Sequence, residues 1–363
     1  MLEKIGTPAV LVDLDIAEKN ISALVEGLEK YRISYRPHIK THKSIYLARL
    51  QQNMGACGIT CAKLGEAEVF AEAGFDDILL AYPVIGDDKC RRLGKLLQKG
   101  IRVRTVVNSI EGARGLSEMG QNIGHTVEVL LDVDGGMERG GVKPGEPALQ
   151  LAEAIKTFPG IRLVGIEYFD GSVYGASTMD EIAGHITKEK TQILDTACLL
   201  REHGFEISIL SGGSSFSAKQ PRLLEGLTEA RPGNCIFNDC TQLYKRMITE
   251  ADCALKVMVT VISRVDPFHY IIDAGTKTFS SDTSQEGKGY GYIIGHPGAV
   301  LWKMNEEHGY VQFAKPDEVM IGDRLMIIPN HSCQQANLFP QMYGIRRDSF
   351  VCEIDTAARG KSV

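Results

Sequence analysis

The chain has 363 residues, 40 Lys and Arg against 46 Asp and Glu, a formal charge of −6 and a hydrophobic content of 44%. That length accommodates one large domain and a smaller one, at roughly 150 residues each. The acidic balance argues against nucleic acid as a general partner, because a phosphate backbone needs positive surface, and no apolar run approaches the roughly 20 residues of a membrane span.

The opening "MLEKIGTPAVLVDLD" has no basic segment leading into an apolar one and is not read as a signal peptide. Its "TPAVLVDLD" is a strand with no helix of its own expected before the barrel begins. Eight short apolar runs follow, at 33–40, 55–64, 76–84, 101–108, 126–136, 161–169, 205–213 and 228–237. Between them, segments such as "GEAEVFAEAG" and "EPALQLAEAIKTF" carry apolar residues every three to four positions, the spacing of a helix face. Gly74, Gly100, Gly160 and Gly204 follow the expected helix ends, where positive φ is favoured. Eight strand–helix units predict a (β/α)8 TIM barrel over residues 14–245, with an open doubly wound sheet as the alternative. From Ala251 onward the pattern changes to short alternating strands such as "ALKVMVTVISRV" and "DRLMIIP". Residues 246–363, joined by 1–13, are expected to form a second, mostly antiparallel β domain. The nine scattered cysteines, an odd count, read as reduced thiols in a cytoplasm.

"YRPHIKTHK" places Arg36, His38, Lys40, His42 and Lys43 together at the end of the first barrel run. Functional groups of a barrel sit where strands end, so Lys40 is expected near the mouth. Like charge and desolvation would disfavour its ammonium form and free the amine for a Schiff base with a carbonyl. A basic surface turn is the other reading of the same residues. The loops "ILSGGSS" and "ARPGNCIF" end the seventh and eighth runs, the usual phosphate site of such barrels. Glycine lets backbone N–H groups approach an anion there, and Ser214 could add a hydroxyl. A phosphate-bearing aldehyde that condenses with lysine is pyridoxal phosphate.

With these residues the chain resembles the D-threonine aldolase and D-serine dehydratase family, whose barrel is of the alanine racemase type. The matching stretches are "TPAVLVDLD", "RPHIKTHK", "LDVDGGMERGGV", "LSGGS", "RPGNCIFND", "IDAGTKTFSSD", "EEHG" and "PNHSC", in order over residues 7–338. The resemblance implies that Lys40 is the Schiff-base lysine and that Arg139 lies close to the cofactor. It also implies that backbone groups of Gly212, Gly213, Gly233 and Asn234 hold the phosphate, and that the protein is a homodimer. One stretch departs: where relatives carry a tyrosine near the pyridine nitrogen and a histidine soon after, "EYFDGS" has Phe169 and Ser172. Phenylalanine cannot hydrogen-bond that nitrogen. Tyr168, counted here as cofactor-binding, or Glu167 would take its place. Cys235 stands where an aromatic residue is common.

In "PNHSC", His331 and Cys333 would share one face of an extended segment. Imidazole and thiolate suit zinc, at about 2.0 and 2.3 Å. Spacing alone also fits a chance pair; the resemblance implies a divalent metal, zinc or manganese, with His-x-Cys nearer the dehydratases and His-x-Asp nearer the aldolases. Two protein ligands leave the ion open to substrate. His125, His185, His203, His269 and His296 show no partner in the sequence.

The expected activity is therefore a pyridoxal phosphate- and metal-dependent lyase on a D-β-hydroxy amino acid. Retro-aldol cleavage of the D-threonine aldolase kind is set first. β-Elimination of the D-serine dehydratase kind, racemisation and a non-catalytic carrier are its rivals.

Overall fold

The computed structural model describes residues 2–283 and 289–363. Two compact units emerge, one from Met1–Ile21, Thr41–Leu47 and Asn234–Arg359, the other from Ser22–Lys40, Ala48–Gly233 and Gly360–Val363. After the N-terminal strand β1 (Ala9–Asp13), the chain enters the second of these.

That unit carries β2 (Ser34–Tyr35), β3 (Ile59–Cys61), β4 (Asp77–Leu80), β5 (Arg102–Val107), β6 (Val127–Asp134), β7 (Ile161–Phe169), β8 (Ile209–Gly212) and β9 (Glu229–Ala230). They lie in the order β2-β9-β8-β7-β6-β5-β4-β3, every pairing parallel. A parallel bridge between His38 and Thr60 brings the two ends together, with the Thr60 amide donating to the Pro37 carbonyl at 2.8 Å. The expected barrel is what the chain forms.

Two of its helices start where the sequence supplies side-chain caps. Ser109 Oγ accepts from the Gly112 amide at the head of helix Ile110–Ile123, and Thr178 with Glu181 forms a capping box ahead of Met179–Glu202. Between β8 and β9 the repeat breaks. Two short 3-10 turns, Ser217–Lys219 and Pro221–Leu224, replace a helix, because Pro221 has no N–H to continue one. Gly160 also has a different reason from the other helix-end glycines. Its φ is not positive; a Cβ there would lie 1.9 Å from the Ser117 carbonyl oxygen.

Leu79, Val106, Leu130 and Val164, one from each of β4 to β7, pack as an apolar layer. Toward the starts of the strands the barrel is charged instead. Arg36 reaches Asp77 at 2.6 Å and Glu229 at 2.8 Å, while Arg104 reaches Asp77 at 2.9 Å and Glu128 at 3.2 Å. Burial opposes the charge on Arg36, but Glu229, Cys57 and Asp77 outweigh it and hold the guanidinium charged.

The other unit contains β10 (Leu255–Arg264), β11 (His269–Ile272), β12 (Gly291–Ile293), β13 (Val300–Met304), β14 (Gly309–Gln312), β15 (Arg324–Pro329), β16 (Gln341–Arg346) and β17 (Ser349–Asp355). They pair antiparallel, and β1 joins them as anticipated, antiparallel to β10 and parallel to β16. Alternation places Val257, Val259 and Val261 of β10 in one core with Tyr270, Ile272 and Phe313. No helix among the described residues is long and apolar enough to cross a membrane.

Arg36→Met should destabilise the protein by about 3–5 kcal/mol, because it leaves the buried Glu229 carboxylate without its cation. Equilibrium urea unfolding measures this directly. An unchanged midpoint would contradict a structural role for the pair.

Candidate active site

Parallel strands deliver their C-terminal ends to one face, and the predicted residues follow those ends. Lys40 comes after β2, Arg139 after β6, Phe169 closes β7, Ser214 follows β8, and Arg231 with Gly233 follows β9. The loop after β6 can close on β7 only because residue 135 is glycine; a Cβ there would lie 2.2 Å from the Phe169 carbonyl oxygen. Lys40 Nζ lies 5.8 Å from the centroid of the Phe169 ring, and the Arg139 guanidinium carbon 5.1 Å from it. One aromatic ring thus has two cations within reach.

His38 completes this group. It is half-buried, and its buried Nδ1 has no hydrogen-bond partner among the described residues. Burial first, then the positive charges of Lys40, Arg231 and Arg139, push its pKa well below the usual imidazole value. His38 is therefore neutral.

Below the mouth runs a chain of buried polar groups. Arg231 donates to Glu167, to the Tyr168 carbonyl at 2.9 Å and to Ser211 Oγ at 2.6 Å. Ser211 in turn donates to Glu229 at 2.7 Å, which accepts from Arg36. Asp132 sits opposite Glu167 in the β6–β7 register. Burial and the Glu167 charge push Asp132 up to about 6, against the pull of Asn108, Arg139 and Arg231.

Tyr168 is not where the sequence reading put it. Alternation along β7 turns it to the opposite face from Glu167 and Phe169, and its hydroxyl bonds Gln192 on helix Met179–Glu202. The Gly213 amide is likewise engaged, donating to Glu189 Oε1 at 2.8 Å, with φ at +76°. Ser214 belongs to a tight turn in which its amide and hydroxyl both meet Ser217 Oγ. Gly212 and Gly233 lie in the same unit as Lys40. Asn234 begins the other unit, and its side-chain amide donates to Asp239.

Arg231, Glu189 and His185 were not singled out from sequence. Arg231 stands two residues beyond Glu229 and so on the same face, which was a usable signal. Nothing local marked His185, whose Nδ1 meets Asp170 and Ser172.

In the sheet unit, His331 stands at the N-terminal boundary of helix Ser332–Leu338 without capping it, and Cys333 lies in its first turn, so the pair is not the extended segment expected. The two side chains still meet. Burial opposes charge on His331, but its hydrogen bond to Cys333 and the charges of Cys333, Asp239 and Asp282 outweigh it and hold the imidazole at about 9. Thr41 Oγ1 lies 3.2 Å from Cys333 Sγ, and Asp282 4.0 Å from His331 Nδ1. Among the described residues, no group of three or more His, Cys, Asp or Glu is placed to hold a metal ion.

A family model for the alanine racemase N-terminal domain matches residues 12–240, and one for a serine dehydratase domain matches 254–345. The D-threo-3-hydroxyaspartate dehydratase of Delftia sp. is 31% identical, over 96% of this chain and 96% of its own. The D-threonine aldolase of Arthrobacter sp. is also 31% identical, over 99% and 94%. The chain belongs to the D-threonine aldolase and D-serine dehydratase family. Like these relatives it is an enzyme of the lyase class, on an alanine racemase-type barrel. The crystal structure of D-threonine aldolase from Filomicrobium marinum superposes on this family member with a TM-score of 0.90 at 28% identity, covering 98% of this chain and 96% of that one.

Beneath the Gly213 loop, burial pushes Glu189 up to about 7, against the Gly213 amide and Arg231. A carboxyl whose folded pKa exceeds its unfolded value costs stability as pH rises between the two, here from about 4.5 to about 7. Glu189→Gln should therefore gain on the wild type by up to roughly 3 kcal/mol between the ends of that window. Urea unfolding at pH 4.5 and 7.5 reads the difference; parallel pH profiles would contradict it.

Proposed function

We propose that the protein is a pyridoxal phosphate- and divalent-metal-dependent lyase that cleaves D-β-hydroxy amino acids to glycine and an aldehyde. The observation that carries this reading is the amine of Lys40 grouped with Arg139 over Phe169, beside a neutral His38 whose buried Nδ1 lacks a partner among the described residues. That donor set fits a planar, anionic aldehyde: an amine to bind it, a ring face to lie along and cations to balance it. Pyridoxal phosphate, when bound, supplies an electron sink for bond cleavage at Cα.

The chain's own residues do the rest. Lys40 would hold the cofactor's aldehyde carbon. Arg139 offers a guanidinium to a carboxylate. Gly212, Gly233, Asn234 and the Ser214 turn would receive the phosphate, while Gly213 contributes its conformation, its amide being bonded to Glu189. Tyr168 has no part in this binding, since its hydroxyl serves Gln192.

His331 and Cys333 would hold one zinc or manganese ion, leaving positions for substrate or water. An ion held this way would acidify a β-hydroxyl. The D-configuration follows the activities of the relatives, D-threonine aldolase and 3-hydroxy-D-aspartate aldolase among them. Cys333, a thiol rather than a carboxylate, favours a second reading: loss of the β-hydroxyl from D-serine or a related substrate, giving an oxo acid and ammonia. Two further assignments belong to this proposal. They are a homodimer, and a cytoplasmic setting supported by nine free cysteines.

Metal-supplemented enzyme and D-threonine should yield glycine and acetaldehyde without ammonia; ammonia from D-serine or D-threonine would select the second reading. Cys333→Ala should lower the rate at least about 10- to 100-fold, the order lost with a supporting ligand contact, while cofactor absorbance persists. Full activity after exhaustive chelation would contradict the metal's role.

A further inference from the structure

We propose, resting on the cofactor reading above, that Glu189 is a positioning residue for the cofactor's phosphate and takes up a proton when that phosphate binds. Glu189 lies on helix Met179–Glu202 and is 3% exposed. Its Oε1 accepts from the Gly213 amide at 2.8 Å. A Cβ on Gly212 would lie 3.2 Å from the same oxygen, so the carboxyl packs against both glycines of the loop after β8. Ser214 and Ser217, both buried, close the turn that follows through their hydroxyls at 2.9 Å. The loop assigned to the phosphate therefore rests on a buried carboxyl.

Two anions do not share a desolvated space unless a cation or a proton balances one of them. Of the charged groups that bear on Glu189, Arg231 beyond β9 is the cation, and it already serves Glu167. Asp170 beyond β7 adds negative charge instead. Tyr168 of β7 is neutral, because burial and the charges of Asp170 and Glu189 push its phenol up. A proton is what remains to balance Glu189 once a phosphate occupies the loop.

Burial already raises Glu189 to about 7 in the free chain, against the Gly213 amide and Arg231. A nearby phosphate raises it further, so a carboxyl part-ionised at neutral pH becomes a neutral acid, its proton drawn from water. No other bond changes. The neutral acid keeps an acceptor oxygen, so the Gly213 amide keeps its partner and the loop its shape. Above about pH 7 the free chain has lost that proton, and binding must restore it. This contribution to cofactor affinity therefore falls as pH rises.

Glu189→Gln is neutral at every pH and keeps an acceptor for Gly213. Wild type and Glu189→Gln, freed of cofactor, are titrated with pyridoxal phosphate at pH 6 and pH 8.5, read by cofactor absorbance. The ratio of their Kd values, wild type over variant, cancels the titration of the cofactor itself and of Lys40. It should rise at least about tenfold between the two pH values, each unit above the titration being worth up to tenfold. With unphosphorylated pyridoxal the ratio should not change with pH. If the variant does not fold, calorimetry of the wild type at pH 8, in two buffers of different ionisation heat, decides. About one more proton should be taken up with pyridoxal phosphate than with pyridoxal. A ratio independent of pH, or no extra proton, would overturn the proposal. Wild type that binds no pyridoxal phosphate at either pH would overturn the cofactor reading, and this inference with it.

Discussion

A line of charge, from the half-buried Asp77 through the buried Arg36, Glu229, Ser211 and Arg231 to Glu167, threads the barrel from strand starts to mouth. Its members come from β4, β7, β8, β9 and the segments that follow β2 and β9, so it ties together strands that are far apart in sequence. Desolvating so many ions is costly, and such a line persists only when each member meets a partner in good geometry. Here each does. The stagger of β7 relative to β9 is thereby fixed, and with it the positions of Phe169 and Arg231 at the mouth. A site built on strands held this way is set before any ligand arrives.

The line also governs the electrostatics above it. Burial and Lys40 first, then Arg231 and Arg139, push His38 toward its neutral form, while burial and then Glu167 raise Asp132. Glu167 itself is bonded to Arg231, so it is not a free carboxylate waiting for a ring nitrogen. The sequence reading offered Glu167, beside Tyr168, as a partner for that nitrogen. In the folded chain its charge is shared with a guanidinium, which weakens that argument.

What could be read in advance followed periodicity and caps. The barrel strands announced themselves as apolar runs at regular spacing. β1 does pair with β10 and β16 of the other sheet, but the reason given for it fails, because helix Leu14–Glu29 follows it directly. The Pro221 segment misled because "FEISILSGG" and "TEARPGNCIF" stood at the usual spacing, with no helix needed between them. The positions of Lys40 and Arg139 just beyond the ends of β2 and β6 were legible in the same way. Orientation was not: Tyr168 and Phe169 are neighbours in sequence and face opposite ways, and period two without an anchor does not say which faces in. Contacts such as Asp170 with His185 join a loop to a helix turn 15 residues on, and no spacing rule foretells them.

The central claim is that Lys40 alone among the lysines carries the cofactor. The direct measurement is peptide mass spectrometry after incubation with pyridoxal phosphate and reduction with borohydride. The account predicts one stable adduct, on the peptide containing Lys40, and its loss in Lys40→Ala. An adduct that survives that substitution on Lys43 or another lysine would contradict it.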